Sequence, residues 1–366
     1  MRDGWRYTFN SYGDLVELKN REGNKLTFQR RSNYEGRYLS KIINAEGREI
    51  VFNQTYVDGN FFQTNSIVDP FGRTVKYTYE KEGAFSNFRR LKKVEKPDGG
   101  IYQYTYDDQG RMNSFVNPRG FVEVVNEYYP DNRIKKQTHS DGGTFNYSYI
   151  LNGEFVSEGT MTTPNGAATI WKFNSDGYLT EKITPDGSFV YSRSLDSNEL
   201  LSSTDPLQRT ISYTYYSTSD ARNGLMETKT DSFGRQTTYE YETRYGLPVR
   251  IYITENSLET EKLADIRFNY TFDSVTGRVV RAVIVDALQN STAIYYNKNG
   301  FPIKVTMPDT DGDMQNDSTI FTYDGTFPSQ LASVIDPLGN SISYKYDNFG
   351  QLTSITDAEG VTTRYD

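Results

Sequence analysis

The chain has 366 residues and a net charge of −8, and 36% of its residues are hydrophobic, whereas ordinary soluble domains are about 45–50% apolar. Acidic and basic residues are interspersed, so no basic stripe indicates a nucleic-acid partner. The chain has no cysteine, which excludes disulfides and thiolate metal sites, and no apolar run approaches the ~18 residues of a membrane span or resembles a signal peptide.

A turn that begins with Asp or Asn and often ends with Gly recurs from one end of the chain to the other. The fifteen copies give a period of about 24 residues, which is typical of solenoids, propellers and extended arrays. Their first residues are 20, 44, 69, 98, 117, 141, 165, 186, 205, 231, 256, 286, 309, 336 and 357.

Each turn follows a pair of short predicted strands, as residues 102–120 show. Tyr102, Tyr104 and Tyr106 share parity, and residues of equal parity lie on one face of a strand. The aromatic step recurs along the chain, so we expect aromatic ladders on one face of a sheet. The other copies are Tyr77/Tyr79, Tyr147/Tyr149, Tyr213/Tyr215, Tyr239/Tyr241, Tyr270/Phe272, Phe321/Tyr323 and Tyr344/Tyr346.

Two turns separate the strands of each unit. After the aromatic strand, Asp or Asn at the first corner and Gly at the fourth predict a type I turn, as at residues 107–110. A short strand such as 179–183 or 352–355 follows, and the second turn closes it. Tighter Asp-Gly or Asn-Gly turns are expected at 98, 141, 165 and 186, while the turns at 205, 256 and 286 lack the glycine.

These patterns predict an all-β protein of about thirty strands in one continuous antiparallel sheet. An open twisted sheet rarely exceeds about ten strands before it curls, so we expect the tandem repeats to spiral into an open hollow shell. The alternative is a β-propeller or a row of separate sandwiches, for which a period of about 40–50 would be expected. Residues 1–366 are interpreted as a single array of about fifteen units that is cut in the middle of a motif at its C-terminus, without a separate effector domain.

The repeated pattern Tyr-x-Tyr-Asp-x-x-Gly, followed by a short strand and Asp-Pro-x-Gly, resembles the YD repeat of the Rhs family. That family includes bacterial polymorphic toxins, the cocoon subunits of insecticidal toxin complexes and the teneurin barrel. The resemblance implies a hollow β-shell, which in the toxin branch encloses a C-terminal effector. Toxin shells end in an Asp-Pro-x-Gly-Leu motif, but Asp336-Pro-Leu-Gly339 precedes Asn340, so we interpret it as an ordinary turn.

Candidate catalytic groups are few, and each lies in the repeat pattern. His139 is the only histidine and is flanked by Ser140 and Asp141, but adjacent turn residues do not converge as a catalytic triad requires. The carboxylate pairs Asp107/Asp108 and Glu80/Glu82 also fall in turns or loops. The sequence therefore predicts a protein that is not an enzyme and requires no cofactor.

One loop has the composition of a calcium site. Asp309, Asp311, Asp313 and Asp317 alternate as hard-cation ligands do, with the carbonyl of Gln315 available. Met314 and Ile320 depart from the EF-hand pattern, and residues 309–312 also match the repeat turn. Calcium binding and a plain turn both remain open.

The leading functional hypothesis is a non-catalytic shell segment of a secreted or cell-surface bacterial protein, which encloses or scaffolds a toxin or effector polypeptide. The alternative is a surface adhesin that binds glycan or protein through its loops. Trp5 and Trp171 are candidates for a sugar platform, and residues 81–90 and 217–223 are candidate binding loops. The expected partners are flanking shell segments and the enclosed effector, and unpaired terminal strands are expected to favour self-association.

Overall fold

A computed structural model describes residues 5–20, 24–33, 36–57, 61–81, 89–258, 260–309, 317–348 and 350–365. These ranges contain 31 strands and no helix. Within them, no helical segment has the length and hydropathy that crossing a bilayer would require.

The first sixteen strands are β1 (Arg6–Phe9), β2 (Leu15–Lys19), β3 (Lys25–Asn33), β4 (Gly36–Ile43), β5 (Glu49–Val57), β6 (Phe61–Val68), β7 (Thr74–Lys81), β8 (Arg89–Glu95), β9 (Ile101–Tyr106), β10 (Met112–Val116), β11 (Val122–Tyr128), β12 (Ile134–His139), β13 (Thr144–Asn152), β14 (Phe155–Thr162), β15 (Ala168–Phe173) and β16 (Leu179–Thr184).

The remaining strands are β17 (Gly187–Arg193), β18 (Leu200–Thr204), β19 (Thr210–Tyr215), β20 (Met226–Thr230), β21 (Gln236–Tyr241), β22 (Pro248–Thr254), β23 (Lys262–Phe272), β24 (Val279–Val285), β25 (Ser291–Tyr296), β26 (Pro302–Thr306), β27 (Ser318–Tyr323), β28 (Leu331–Ile335), β29 (Ser341–Tyr346), β30 (Leu352–Thr356) and β31 (Thr362–Arg364).

All 31 strands belong to one open antiparallel sheet in which strands that are consecutive in sequence pair with each other. The prediction of an all-β chain with one continuous sheet of about thirty strands is therefore confirmed, and separate sandwiches or propeller blades are excluded. Hairpin connectivity explains the arrangement, because each short turn can join only neighbouring antiparallel strands.

The chain forms two compact units. Unit 1 consists of Met1–Phe28, Ile43–Arg48 and Thr214–Asp366, and unit 2 consists of Gln29–Ile42 and Glu49–Tyr213. Both are built from the same hairpins, and the irregular segment between β19 and β20 is the one predicted at 217–223. Most of the loop predicted at 81–90 lies outside the described residues.

The two faces of the sheet differ in composition, as the parity of the tyrosines predicts. In the β8–β10 region, Tyr102 lies opposite Val94 and Tyr104 lies opposite Phe115. The Phe115 ring stacks on Tyr102 and Tyr104 at centroid distances of 5.5 and 5.4 Å. On the opposite face, Thr105 and Ser114 share a hydroxyl hydrogen bond of 2.6 Å. One face is therefore aromatic and the other polar.

The sheet has little buried core. Val57, Ala282, Ala293 and Phe327 are the buried apolar residues of the described ranges, and no large side chain there is fully buried. The chain exposes 22650 Å², whereas a compact monomer of 42.0 kDa would expose about 15,000 Å². Most strand side chains are half-buried, so cross-strand contacts and the backbone ladder hold the fold.

Candidate functional site: the turn and tyrosine contacts of the repeat

Each regular hairpin closes through a five-residue turn, which the turn at Asp107 illustrates. Gly110 N–H donates to Asp107 O at 2.9 Å, and Asp107 N–H donates to Arg111 O at 2.9 Å. Gly110 has φ of 83°, a left-handed conformation that favours glycine. The arrangement is a type I turn followed by a left-handed residue that forms a β-bulge.

The first residue of the turn also holds it through its side chain. Asp107 Oδ1 accepts the N–H groups of Gln109 and Arg111 at 3.0 and 2.9 Å, and Arg111 Nε donates to Oδ2 at 2.8 Å. Burial alone would raise the pKa of Asp107, but the Arg111 backbone and guanidinium outweigh it and lower the pKa. The same Asp and Arg pairs recur as Asp69/Arg73, Asp205/Arg209 and Asp231/Arg235.

The structure corrects the prediction of tighter turns at 98, 141 and 165. These loops are the same five-residue turn with the Asp or Asn at its third position, since Gly99, Gly142 and Gly166 donate to the carbonyls of residues 96, 139 and 163. The third-position side chain still accepts a backbone N–H, as Asp98 and Asp141 do from Gly100 and Gly143. Only the loop at 186 is tighter: Thr184 pairs directly with Gly187.

Two turns without glycine keep the same conformation. Gln208 and Gln289 occupy the fourth position with φ of 61° and 67°, and their N–H groups donate to Asp205 and Asp286. Non-glycine residues pay about 1–2 kcal/mol for this conformation. The Asp side chain and the hairpin register therefore fix the turn even when its sequence is unfavourable.

A β-bulge lies beside the first turn of most repeats. In the β9–β10 hairpin, Met112 faces Tyr106 and Ser114 faces Thr105, so Asn113 is the extra residue. A bulge disrupts the ladder locally, and a polar backbone group left without a partner costs about 1–3 kcal/mol where it is buried.

At six of these bulges, a tyrosine hydroxyl from the next aromatic strand donates to the carbonyl of the residue just before the extra residue. In the first example, Tyr128 Oη lies 2.7 Å from Met112 O. We call this contact the tyrosine clasp. The other copies, at 2.7–2.9 Å, are Tyr79 to Thr64, Tyr106 to Leu91, Tyr270 to Pro248, Tyr323 to Pro302 and Tyr346 to Leu331.

Arginine takes the place of tyrosine in one clasp. Thr180 is the extra residue of the β15–β16 hairpin, and Arg193 Nε donates to the carbonyl of Leu179 at 3.1 Å. A guanidinium N–H therefore replaces the tyrosine hydroxyl as the donor at this bulge. Burial raises the pKa of clasp tyrosines such as Tyr79 and Tyr270, so their hydroxyls remain donors at neutral pH.

His139 is exposed and is the last residue of β12. The sequence predicts an exposed turn residue, and the structure places His139 where the strand passes into the turn. Its ring lies 4.9 Å from the ring of Phe145. The carboxylate of Asp141 accepts the N–H of Gly143 at 2.8 Å. The geometry thus uses the residues flanking His139 to close a turn.

One member of each carboxylate pair is engaged in local structure. Asp107 is held by its own turn, and a carboxylate with a lowered pKa is poorly suited to donate a proton at neutral pH. Glu80 forms an ion pair with Lys92 at 2.5 Å. Glu82 lies outside the described residues.

The predicted calcium ligands lie only in part within the described structure. Asp309 and Asp317 are described, whereas Asp311, Asp313 and Gln315 lie outside the described residues. Asp317 is buried, and its carbonyl accepts the N–H of Met307 at 2.8 Å. Among the described residues, no three His, Asp or Glu side chains are grouped as a metal site requires. Calcium binding stays a prediction.

The two tryptophans belong to different units. Trp171 lies on β15 between Gly159 and Lys182 of the adjacent strands, on the face of the sheet that carries Tyr149. Trp5 is exposed before β1. Sugar binding by either residue stays a prediction.

Sequence reasoning missed the bulge, the clasp and the left-handed glutamines. The available signal for the clasp was the tyrosine immediately before the Asp or Asn of the first turn, as in Tyr106-Asp107 and Tyr346-Asp347. Parity placed these tyrosines on the correct face but gave no acceptor for the hydroxyl.

Comparisons with known proteins agree with the repeat pattern. The family model described as RHS Repeat matches residues 329–365, a range that contains β28–β31 and the complete clasp from Tyr346 to Leu331. No curated protein matches the chain significantly in sequence.

Solved toxin structures share similarity with the chain. The structure of TcdB2-TccC3 without its hypervariable C-terminal region is 14% identical, with a TM-score of 0.43, and the match covers 98% of this chain and 24% of that one. The Photorhabdus luminescens Tc holotoxin pore is 14% identical with a TM-score of 0.43, and the match covers 98% and 23%. The chain thus spans about a quarter of the length of these proteins.

The matched RHS repeat and the rest of the chain share one bond pattern. The turn held by its first side chain and the clasp on the preceding bulge occur at residues 329–365 and recur from β6 onward. The segment 329–365 therefore matches the RHS Repeat model, and the rest of the described chain repeats its bond pattern.

Proposed function

We propose that the chain is a non-catalytic wall segment of a bacterial Rhs-type protein and that the wall encloses a toxin or effector polypeptide. The observation that carries this proposal is the single-layered sheet, which runs through 31 strands with almost no buried core. Such a sheet separates two volumes, which suits a container better than a catalyst.

The stabilising contacts are spread evenly along the sheet. The repeats contribute turn bonds and, in many of them, a clasp or cross-strand aromatic pairs, and such pairs contribute about 0.2–1 kcal/mol each. In solenoids, stability is approximately the sum of such repeat and neighbour terms. A wall built this way extends without a central core and leaves room for a cargo on one side.

The expected setting follows from the family resemblance. The wall would be completed by flanking segments of the same protein, and the enclosed polypeptide would be delivered from a secreted or cell-surface protein. The similar Photorhabdus luminescens structure is a Tc holotoxin pore. That assembly is a property of the Photorhabdus protein, and for the present chain delivery of a toxin is part of the proposal. Neither nucleic acid nor a cofactor is part of the proposal.

Protease protection tests containment. The protein is purified from its producing cells and treated with a broad protease, before and after chemical unfolding, and the fragments are identified by mass spectrometry. We expect a non-repeat polypeptide that is cleaved only after the wall unfolds. Repeat fragments alone, or a non-repeat polypeptide cleaved equally fast in both states, would contradict containment.

A surface adhesin is the second candidate, and exposed apolar side chains at the turn tips favour it. Leu207, Phe233, Leu288 and Leu338 all occupy the third position of a turn and are 71–82% exposed. Exposed apolar surface can mark contact sites for proteins or membranes, and each of these turn tips is a separate candidate. Replacing Phe233 and Leu338 with Ser would abolish adhesion to target cells if these tips bind a receptor, and unchanged adhesion would eliminate them.

Calcium binding is a separate proposal for the loop that starts at Asp309. Asp309, Asp311, Asp313 and Asp317 would supply carboxylate oxygens and stiffen the connection between β26 and β27. Isothermal titration with Ca²⁺ should show one site that is lost in Asp311→Asn/Asp313→Asn. No heat of binding in the parent protein would refute it.

A further inference from the structure

Two early residues of unit 1 contact two late segments of the same unit. Asn24 donates its side-chain N–H to the carbonyl of Asn299 at 3.0 Å, across 275 residues of sequence. The guanidinium carbon of Arg48 lies 4.2 Å from the ring centroid of Phe327. Asn24 and Arg48 are one repeat apart, as are Asn299 and Phe327. Successive early repeats therefore meet successive late repeats.

Asn24 and Arg48 occupy the same place in their repeats. Each backbone N–H donates to an Asn side chain four residues earlier, Asn20 or Asn44, at 2.7 and 2.8 Å. The fifth residue of the turn is thus oriented by the first, as in the turn at Asp107.

The identity of the first residue explains why Arg48 turns outward. In the turns with Asp at the first position, such as Asp231, the fifth-position guanidinium binds that carboxylate. Asn44 provides no carboxylate, so the Arg48 guanidinium is not neutralised within its own turn. It lies instead on an aromatic face, where a cation is attracted by the ring quadrupole.

Phe327 lies in a segment that departs from the regular turn. The loop 324–330 replaces the five-residue turn: Phe327 N–H donates to Asp324 Oδ1 at 2.8 Å, and Gln330 N–H donates to Phe327 O at 2.8 Å. Phe327 is only 6% exposed. A Cβ at Gly350 would lie 3.2 Å from Gln330 Nε2 and 3.4 Å from the Phe327 ring, so Gly350 packs directly against this loop.

We propose that these contacts form a lateral seam that joins repeats about 275 residues apart in unit 1. The seam consists of Asn24 with Asn299 and of residues 44–48 with the loop 324–330, and the Arg48–Phe327 contact is its anchor. Its role as the seal of a container rests on the proposed function, whereas the contact itself does not.

Hydrogen exchange of the Phe327 and Gln330 amides tests the seam, because both amides are hydrogen-bonded within the loop that receives Arg48. Arg48→Ala should raise their exchange rates about fivefold, as loss of a partly desolvated cation–π contact implies. Asn44→Asp should act in the same direction, because it keeps the turn bonds but offers Arg48 a carboxylate of its own.

Arg235→Ala is the matched control, since Arg235 is held by Asp231 in its own turn, and it should leave both amides unchanged. In a Phe327→Leu background, Arg48→Ala should add nothing further. Unchanged exchange in Arg48→Ala, or an equal effect of Arg235→Ala, would overturn the proposal. Protease protection of a cargo has no influence on these rates, so the seam and the containment proposal can fail independently.

Discussion

At the scale of single residues, the tyrosine of the clasp supplies a donor that the bulge of the neighbouring hairpin lacks. The bulge in the β27–β28 hairpin disrupts the ladder next to Leu331, and the Tyr346 hydroxyl donates to that carbonyl at 2.9 Å. Where the clasp forms, one repeat therefore satisfies a backbone group of the repeat before it, and the two neighbours are coupled in sequence order.

Removing one clasp hydroxyl should destabilise the protein measurably. We expect Tyr346→Phe to lower the free energy of unfolding by about 1–2 kcal/mol, because a half-buried carbonyl loses its donor. Tyr344→Phe is the control: Tyr344 lies on the same strand and face but makes no clasp among the described residues. Denaturant unfolding measures both, and equal effects of the two substitutions would contradict the clasp.

Glycine should be preferred where the turn carries glutamine in the left-handed conformation. Gln289→Gly relieves the conformational cost at φ of 67° but increases the entropy of the unfolded chain, so a net gain of about 0.5–1 kcal/mol is expected.

The reverse change, Gly339→Ala, should lower the free energy of unfolding, because Gly339 has φ of 85° and alanine is strained in this conformation. No atom lies within 4 Å of the added Cβ, so backbone strain is the only effect expected. Thermal unfolding checks both substitutions. Destabilisation by Gln289→Gly would show that the glutamine side chain contributes more than its backbone costs.

At the scale of strands and hairpins, cross-strand ion pairs supplement the ladder. Arg250 on β22 donates two hydrogen bonds to Asp265 on β23, at 2.8 and 2.7 Å, and Arg267 adds a third at 3.2 Å. The Arg250 hydrogen bonds lower the pKa of Asp265 to about 2, although burial opposes them.

The sign of this pKa shift predicts an acid-dependent contribution from one hairpin. Because the pKa of Asp265 is lower in the folded state than its ordinary 3.8, the pair stabilises fully above that value and is lost as the pH falls towards about 2. Asp265→Asn removes the titrating carboxylate, so the unfolding free energy of this variant should fall less than that of the parent protein as the pH is lowered from 3.8 to about 2. Parallel curves for Asp265→Asn and the parent would refute the assignment.

At the scale of the whole molecule, half-buried tyrosines should make the sheet sensitive to alkali. Burial raises the pKa of Tyr79, Tyr270, Tyr323 and Tyr346 above 10.0. Their contribution is therefore complete below pH 10 and lost as the pH rises through the folded pKa values. Urea midpoints measured between about pH 9 and pH 12 should fall steeply above pH 10, and a flat profile would contradict this.

Local periodicity was sufficient to predict the sheet, because each strand pairs with its neighbours in sequence. The equal parity of Tyr102, Tyr104 and Tyr106 predicted the aromatic face, and the spacing of the Asp and Asn turns predicted about thirty strands. The clasp acceptors could not be predicted, because a bulge shifts the register by one residue without a distinct sequence signal. The contact between Arg48 and Phe327 was inaccessible for a different reason: it joins residues that are distant in sequence.

A cryo-EM map of the intact protein tests the central claim, that the repeats form one uninterrupted wall with a cargo on one side. The account predicts a single continuous sheet through all repeats, with density for a non-repeat polypeptide against one of its faces. Discrete closed domains, or a continuous sheet with solvent on both faces, would contradict it.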